Sequence, residues 1–463
     1  MLLKSPWKPR LALAKASPSD RLVTALADDI IDGSVATGAR LPPQRELADA
    51  LGIGLGTVTK AYTVLERRGL IRNERGRGAF VSYRAARTGP VIDLSVNIPS
   101  GLLSETTLAK TLVALSRRID PALLTRYAPI HGHDEHQRQM ARWLATVGME
   151  ADPARLFLCN GAHQALTVAL SLTCPAGGTI FTEPVTYAGA IALARHARHR
   201  LVAVRMDNYG LSPDALDKGL RALRVRAKRP GPVVLYVTPT LHNPTTTTMH
   251  LQRRRDIISV CKKHDVMIVE DDVYAFCETA NLPPLAMLAP ERTFYVNSLS
   301  KTLSPGLRIG SLVVPETFVA RAEIAFRATW LMVSTLSCAV MGQWLTDGTA
   351  ESMRSLLRAE AVRRSTLAHS MLGDACYDSG NSALHVWLPM ARDEAVRVAA
   401  ACESAGVVVR SPDALMVDPK ATESGIRLGL GSPTLADVTE ALARIATILE
   451  HLKREPRARG VAV

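Results

Sequence analysis

Lys301 sits in the run Ser298-Leu299-Ser300-Lys301-Thr302-Leu303-Ser304-Pro305-Gly306-Leu307-Arg308, flanked by small hydroxyl residues and followed seven positions later by an arginine. The apolar stretch Phe294-Tyr295-Val296 before it reads as a strand, so the lysine falls at a strand end. An amine there, beside hydroxyls and a guanidinium suited to a phosphate, is what an enzyme needs to hold pyridoxal phosphate as a Schiff base.

Other clusters fit the same chemistry. Glu270-Asp271-Asp272-Val273-Tyr274 follows the run Val266-Met267-Ile268-Val269. A carboxylate beside a pyridine nitrogen keeps it protonated, and a tyrosine nearby can bond the ring's phenolic oxygen. Thr238-Pro239-Thr240-Leu241-His242-Asn243-Pro244 offers an amide for that oxygen. In Cys159-Asn160-Gly161-Ala162-His163 a glycine opens a helix whose free amides suit a phosphate. Thr182-Glu183-Pro184-Val185-Thr186-Tyr187 brings an aromatic ring that can stack on a pyridine. Each cluster alone is weak, but their order along the chain is hard to assemble by accident.

These clusters follow short, continuously apolar runs: Leu156-Phe157-Leu158, Thr179-Ile180-Phe181, Val233-Val234-Leu235-Tyr236-Val237, Val266-Met267-Ile268-Val269 and Phe294-Tyr295-Val296. Such runs, with helical stretches between them, predict an α/β domain with a mostly parallel sheet covered on both faces. Ligands bind beyond the strand C-termini of such sheets. The length of 463 residues calls for two or three domains, and 47% hydrophobic content is enough for a substantial core. No apolar run approaches the ~18–20 residues of a membrane span, and Lys4, Pro6 and Lys8 interrupt any signal-peptide core, so a cytoplasmic location is expected. The seven cysteines form no Cys-x-x-Cys pair or metal spacing, so they read as reduced core residues and no metal is expected.

The net charge of +13 is unevenly spread. Residues 1–90 hold 15 Lys and Arg against 8 Asp and Glu, which suggests an anionic partner for the N-terminal part. There, residues 19–33 have helical periodicity, with Ser19 as cap and Gly33 as stop. Leu41-Pro42-Pro43 breaks the chain before a short helix, Gln44–Leu51, and Gly52 turns it into a second, residues 57–68. That is a helix-turn-helix, whose second helix enters the major groove. Leu70-Ile71-Arg72 and Ala79-Phe80-Val81, joined by Asn73-Glu74-Arg75-Gly76-Arg77-Gly78, read as a basic hairpin wing. Gly52-x-Gly54-x-Gly56 is no nucleotide loop, because no strand precedes it and no phosphate-binding lysine follows.

Trp7-x-Pro9, Gly38-x-x-Leu41-Pro42-x-x-Arg45-x-Leu47-Ala48, Thr57-Val58-x-x-Ala61-Tyr62, Leu65-x-x-x-Gly69-Leu70 and Gly76-x-Gly78-x-Phe80-Val81 resemble the GntR-type winged helix. The resemblance implies DNA contacts from Arg45, Thr57, Thr59, Lys60, Arg77 and Gly78. The chain departs from the family pattern at Gly54-Leu55, where a Ser-Arg pair is usual. The remainder resembles the fold-type I, class I/II aminotransferases. That resemblance implies Lys301 as the Schiff-base lysine, Asp271 as partner of the pyridine nitrogen, and Asn243 and Tyr274 as partners of the phenolic oxygen. It gives Ser298, Arg308, Ala162 and His163 to the phosphate and stacks Tyr187 on the ring. Tyr127 would reach the partner subunit's phosphate, and Arg427, in Gly425-Ile426-Arg427-Leu428-Gly429, would grip a substrate carboxylate. Gln137 stands where that family often has arginine, and no function is read into it.

Together the two parts resemble the MocR subfamily of bacterial transcription regulators. The expected organisation is a winged-helix domain over residues 7–83, a linker over 84–92 and an aminotransferase-like domain over 93–455, with a small C-terminal α+β subdomain over about 350–455. The implied assembly is a head-to-tail homodimer that binds a double-stranded DNA operator. The expected function is to sense an amino compound, which would displace Lys301 to form an external aldimine. An active aminotransferase with an accessory DNA module, and a sensor of pyridoxal phosphate itself, are the alternative readings.

Overall fold

The computed structural model describes residues 17–31, 35, 39–67, 70–74, 78–81, 91–99, 103–226, 231–277 and 282–454. Arg75, Arg77 and Gly33, and most of the expected linker, lie outside them. The chain divides into two compact units with the break between Val91 and Ile92.

The first unit is a small helical body with a hairpin. Helix α1 covers Pro18–Ile31. Its start differs from the expected Ser19: the Ser17 hydroxyl accepts from the Asp20 N–H, so Ser17 caps the helix and Pro18 takes the first turn, where its missing N–H costs nothing. Helix α2 (Gln44–Leu51) begins after the two prolines and ends at Gly52, whose φ of +61° supplies the left-handed turn. Helix α3 covers Leu55–Arg67, starting earlier than expected. Strands β1 (Ile71–Glu74) and β2 (Gly78–Val81) pair antiparallel as the wing. Leu22, Leu26, Leu47, Val58, Ala61, Tyr62 and Leu65 close the core, and the buried Tyr62 hydroxyl donates to Pro42 O at 2.9 Å.

The second unit is built on a seven-stranded sheet. After a short strand β3 (Ile92–Asp93) come β4 (Leu156–Cys159), helix α4 (Ala162–Thr173), β5 (Thr179–Thr182), β6 (Arg200–Ala203), β7 (Val233–Val237), β8 (Met267–Asp271), β9 (Thr293–Ser298) and β10 (Gly310–Val313). The order across the sheet is β4-β10-β9-β8-β7-β5-β6, and β10 runs antiparallel to both its neighbours while the other pairs are parallel. Strands β6 and β10 were not anticipated: β6 is a short, part-polar edge, and β10 looks like a continuation of the loop after Arg308. All residues of β4, β5, β9 and β10 are buried, as a sheet covered on both faces requires.

A smaller lobe follows. Helix α5 (Thr349–Leu372) contributes Ala350 and Met353 to the large-lobe core and Ala368 and Leu372 to the small-lobe core. Strands β11 (His385–Ala391) and β13 (Glu423–Gly429) pair antiparallel, and helix α6 (Leu435–Arg454) packs with them. Strand β12 (Val407–Val408) pairs in parallel with β3, so Ile92 and Leu94 belong to this lobe's core although they lie at the N-terminal edge of the unit.

Candidate functional site

The C-terminal ends of β7, β8 and β9 and the start of α4 open onto one cleft of about 240 Å³. Its lining includes Ala162, His163, Tyr187, Asn243, Asp271, Tyr274, Ser298, Lys301, Arg308 and Arg427. Parallel strands end on the same edge, so residues distant in sequence converge there. Tyr127 is the exception: it does not line the cleft and is 78% exposed. A larger cavity of about 630 Å³, lined in part by Met206, Tyr377, Trp387 and Met390, has no lysine or arginine in its lining and so nothing to hold an aldehyde or a phosphate.

Asp271 closes β8 in full burial. The Tyr236 hydroxyl donates to its Oδ2 at 2.9 Å, while its Oδ1 has no hydrogen-bond partner. Burial pushes the Asp271 carboxyl up to about 6, against the stabilising hydroxyl of Tyr236. Lys301 ends a single 3₁₀ turn directly after β9, and its Nζ donates to Asn97 O. Burial, and after it the Arg427 guanidinium, lower the Lys301 amine to about 8, so about a tenth of it is neutral and nucleophilic at pH 7, far more than for an ordinary lysine.

At the other end of the cleft Gly161 takes φ +87° before α4 and no side chain caps the helix, so its first amides are free for an anion. Arg308 crosses this point and donates to Asn160 O at 3.2 Å. A Cβ on Gly161 would lie 2.6 Å from that guanidinium. The Ser298 hydroxyl is engaged locally: it donates to Ile309 O at 3.1 Å, accepts from the Ser300 N–H and lies 3.0 Å from Ser300 Oγ. Ser300, which also lines the cleft, is the freer hydroxyl of the pair.

Arg427, 4% exposed, donates to Asn243 Oδ1 at 3.1 Å and to Ser95 O at 2.5 Å, and its Nε has no partner. With its oxygen turned to Arg427, Asn243 keeps its amide N–H groups as donors. Asn97 Nδ2 lies 2.8 Å from the Tyr274 hydroxyl and 2.9 Å from His385 Nδ1. His385 is completely buried, which with the Arg427 charge lowers its pKa to about 3, so it is neutral. Asn97 and Arg410, which also line the cleft, and Tyr236 and His385 behind it were missed by sequence reasoning. A tyrosine inside a wholly apolar strand was the available signal for Tyr236, since a buried hydroxyl needs a partner. Asn97 and Arg410 lie in irregular segments that carry no motif.

On the N-terminal unit, Arg45, Thr59 and Lys60 are exposed, Thr57 is half-buried and Gly78 is exposed with φ +108°. The Thr59 hydroxyl donates to Gln44 Oε1 at 2.8 Å, tying α3 to α2. The Arg40 guanidinium lies against Gly78, and the Leu41 N–H and Ala79 O bond at 2.8 Å, adding residues 39–41 to the wing.

Residues 89–445 match the model of the aminotransferase class I and II family. The chain belongs to that family. Residues 18–81 match the bacterial regulatory proteins of the gntR family, and this fusion is the MocR architecture. The uncharacterised HTH-type transcriptional regulator YdeF of Bacillus subtilis (strain 168) is 27% identical over 461 residues, 96% of this chain and 97% of its own. Among solved structures, an archaeal alanine:glyoxylate aminotransferase superposes with a TM-score of 0.73 at 19% identity over 86% of this chain and 95% of its own. The α-aminoadipate aminotransferase LysN of Thermus thermophilus, complexed with N-(5'-phosphopyridoxyl)-L-leucine, gives 0.68 at 22% identity over 78% of this chain and 93% of its own.

The cofactor of this family is pyridoxal 5'-phosphate, and the cleft fits it. The unpartnered Asp271 Oδ1 suits a protonated ring nitrogen, the uncapped α4 amides with Arg308 suit a phosphate, and Lys301 supplies the amine. Among the described residues no group of His, Cys, Asp or Glu is arranged to hold a metal ion, and no helix is long and apolar enough to cross a membrane.

Proposed function

We propose that this protein is a DNA-binding transcriptional regulator that senses an amino compound, best an amino acid, through pyridoxal phosphate at Lys301. The observation that carries the reading is that a Lys301 amine and an Arg427 guanidinium share one small cleft with Asp271, in a chain that also has a helix-turn-helix. When bound, the cofactor supplies an aldehyde carbon at which Lys301 and an incoming amine exchange, one C=N bond forming as the other breaks, without oxidation or reduction.

In this reading Asp271 holds a proton on the ring nitrogen, and Asn243 and Tyr274 donate towards the phenolic oxygen. Tyr187 stacks on the ring, while the amides of Ala162 and His163, with Ser298 and Arg308, hold the phosphate. Arg427 turns from Asn243 and Ser95 to a ligand carboxylate, its planar fork being matched to that group. Tyr127, exposed on one chain, serves the second subunit of a head-to-tail homodimer. Residues 7–83 form the DNA module, 84–91 the linker and 92–455 the sensing domain, one residue earlier than the sequence suggests because Ile92 already pairs in β3. Arg45, Thr57, Thr59, Lys60, Arg77 and Gly78 face the operator.

Two variants test the reading. Lys301→Ala loses the absorbance of covalently held cofactor and keeps operator binding, whereas Arg45→Ala keeps the absorbance and loses operator binding. A wild-type protein without the absorbance refutes the cofactor role of Lys301. An active aminotransferase is the second reading, favoured by the near-complete set of reactive groups in the cleft. Sustained keto-acid production at roughly 1–10³ s⁻¹ decides for it.

A further inference from the structure

The two groups that would capture an amino acid are both engaged by one short stretch of backbone. Arg427 donates to Ser95 O, and Lys301 donates to Asn97 O. Residues 94–97 follow directly after β3, only a few positions from the break that separates the two units along the chain.

This stretch is gripped by both lobes of the second unit. On the small-lobe side, the Leu94 N–H donates to Val408 O at 2.8 Å and Leu94 O accepts from the Gly429 N–H at 2.7 Å. The approach is close enough that a Cβ on Gly429 would lie 2.5 Å from Val96 O, which is why β13 ends in glycine. On the large-lobe side, among the described residues, side chains hold it: Lys301, and Tyr274 through the Asn97 amide. Ser95 O and Asn97 O therefore present to the arginine and the lysine the same kind of acceptor that a ligand carboxylate would present, but as neutral carbonyls. A charged carboxylate forms the stronger, bidentate pair with a guanidinium.

We infer that residues 95–97 are a built-in competitor of the effector, and that a ligand bearing both an amine and a carboxylate acts by taking Arg427 away from Ser95 O. The inference rests on the proposed role of Lys301 and deepens it by naming the segment that responds. An amine lacking a carboxylate exchanges with Lys301 but leaves Arg427 on Ser95, and the segment stays in place. A ligand that has both releases the segment from Arg427, the β13 side chain that holds it through Ser95 O. Differential contact with two states is what any ligand-driven switch requires.

Two probes separate the steps in the full-length, cofactor-loaded protein. Aminooxyacetate carries a reactive amine and a carboxylate; methoxyamine carries the amine alone. Both should change the cofactor absorbance by displacing Lys301. Hydrogen–deuterium exchange of the Leu94, Ser95 and Gly429 amides should then rise about tenfold with aminooxyacetate and stay unchanged with methoxyamine. In Arg427→Gln the same amides should exchange fast before any addition, and aminooxyacetate should add nothing. Equal exchange with the two probes, or unchanged protection in Arg427→Gln, overturns the inference while leaving the sensing reading intact. If neither probe changes the absorbance, the role of Lys301 fails and the inference fails with it.

Discussion

Asp271 is a carboxylate the fold holds at a cost until something binds it. Its carboxyl is raised from 3.8 to about 6, chiefly by burial. Below about pH 4 it is protonated in both folded and unfolded chains and costs nothing. As pH rises through about 4 to 6 the unfolded chain ionises first, so stability is lost, and about 3 kcal/mol is lost above pH 6. Asp271→Asn should therefore stabilise the cofactor-free protein by up to about that amount at about pH 7.5 in chemical denaturation. The same change should weaken cofactor binding at least about 100-fold, because an amide cannot hold the ring proton. Equal or lower stability of the cofactor-free variant would show that Asp271 is compensated in some other way. Lys301 gives a second prediction, from its amine lowered to about 8 by burial and by Arg427. The rate of cofactor capture by the cofactor-free protein should climb with pH through a midpoint of about 8 and level off above it. In Arg427→Met, with one cation removed, that midpoint should move upward; a midpoint near the ordinary lysine value in the wild type would contradict the account.

Among the elements, β10 approaches the start of α4 with no room to spare. A Cβ on Gly310 would lie 2.7 Å from the backbone of Gly161 and 2.9 Å from the Ala162 nitrogen, and no flexible side chain can yield there. Gly310→Ala should push the strand from the helix start, costing about 1–3 kcal/mol and weakening cofactor or free phosphate binding roughly tenfold or more. Unchanged phosphate affinity would remove the α4 amides from the site. Strand β10 is also where the sequence was least legible. Gly310-Ser311-Leu312-Val313 is short and opens on a glycine and a serine, so it cannot be told from the loop before it, and its pairing between β9 and β4 makes it a strand. By contrast α2 and β7 were legible to the residue. Two prolines and Gly52 bracket α2, and the five apolar residues of β7 stand between Gly231-Pro232 and Thr238. The cleft was legible wherever a strand ended in a distinctive group, as at Asp271, Asn243 and Lys301. It was illegible where a coil met it from far away in sequence, as at Asn97, because nothing local marks a residue whose partners lie at Tyr274 and His385.

For the whole molecule, the fold and family are those of an aminotransferase, with a GntR-type module joined at its N-terminus. The proposed function asks one part to report on the other, which is a coupling of two binding free energies. The segment 92–97 has the connectivity for it, because it leaves the break between the units and runs directly to Arg427 and Lys301. The most direct test measures the affinity of the cofactor-loaded protein for its operator by fluorescence anisotropy at fixed salt, with and without saturating amino acids. The account predicts that at least one amino acid shifts operator affinity by about 5–150-fold in the wild type and not at all in Lys301→Ala. Superimposable curves in the wild type for every amino acid, or the same shift in Lys301→Ala, would contradict it.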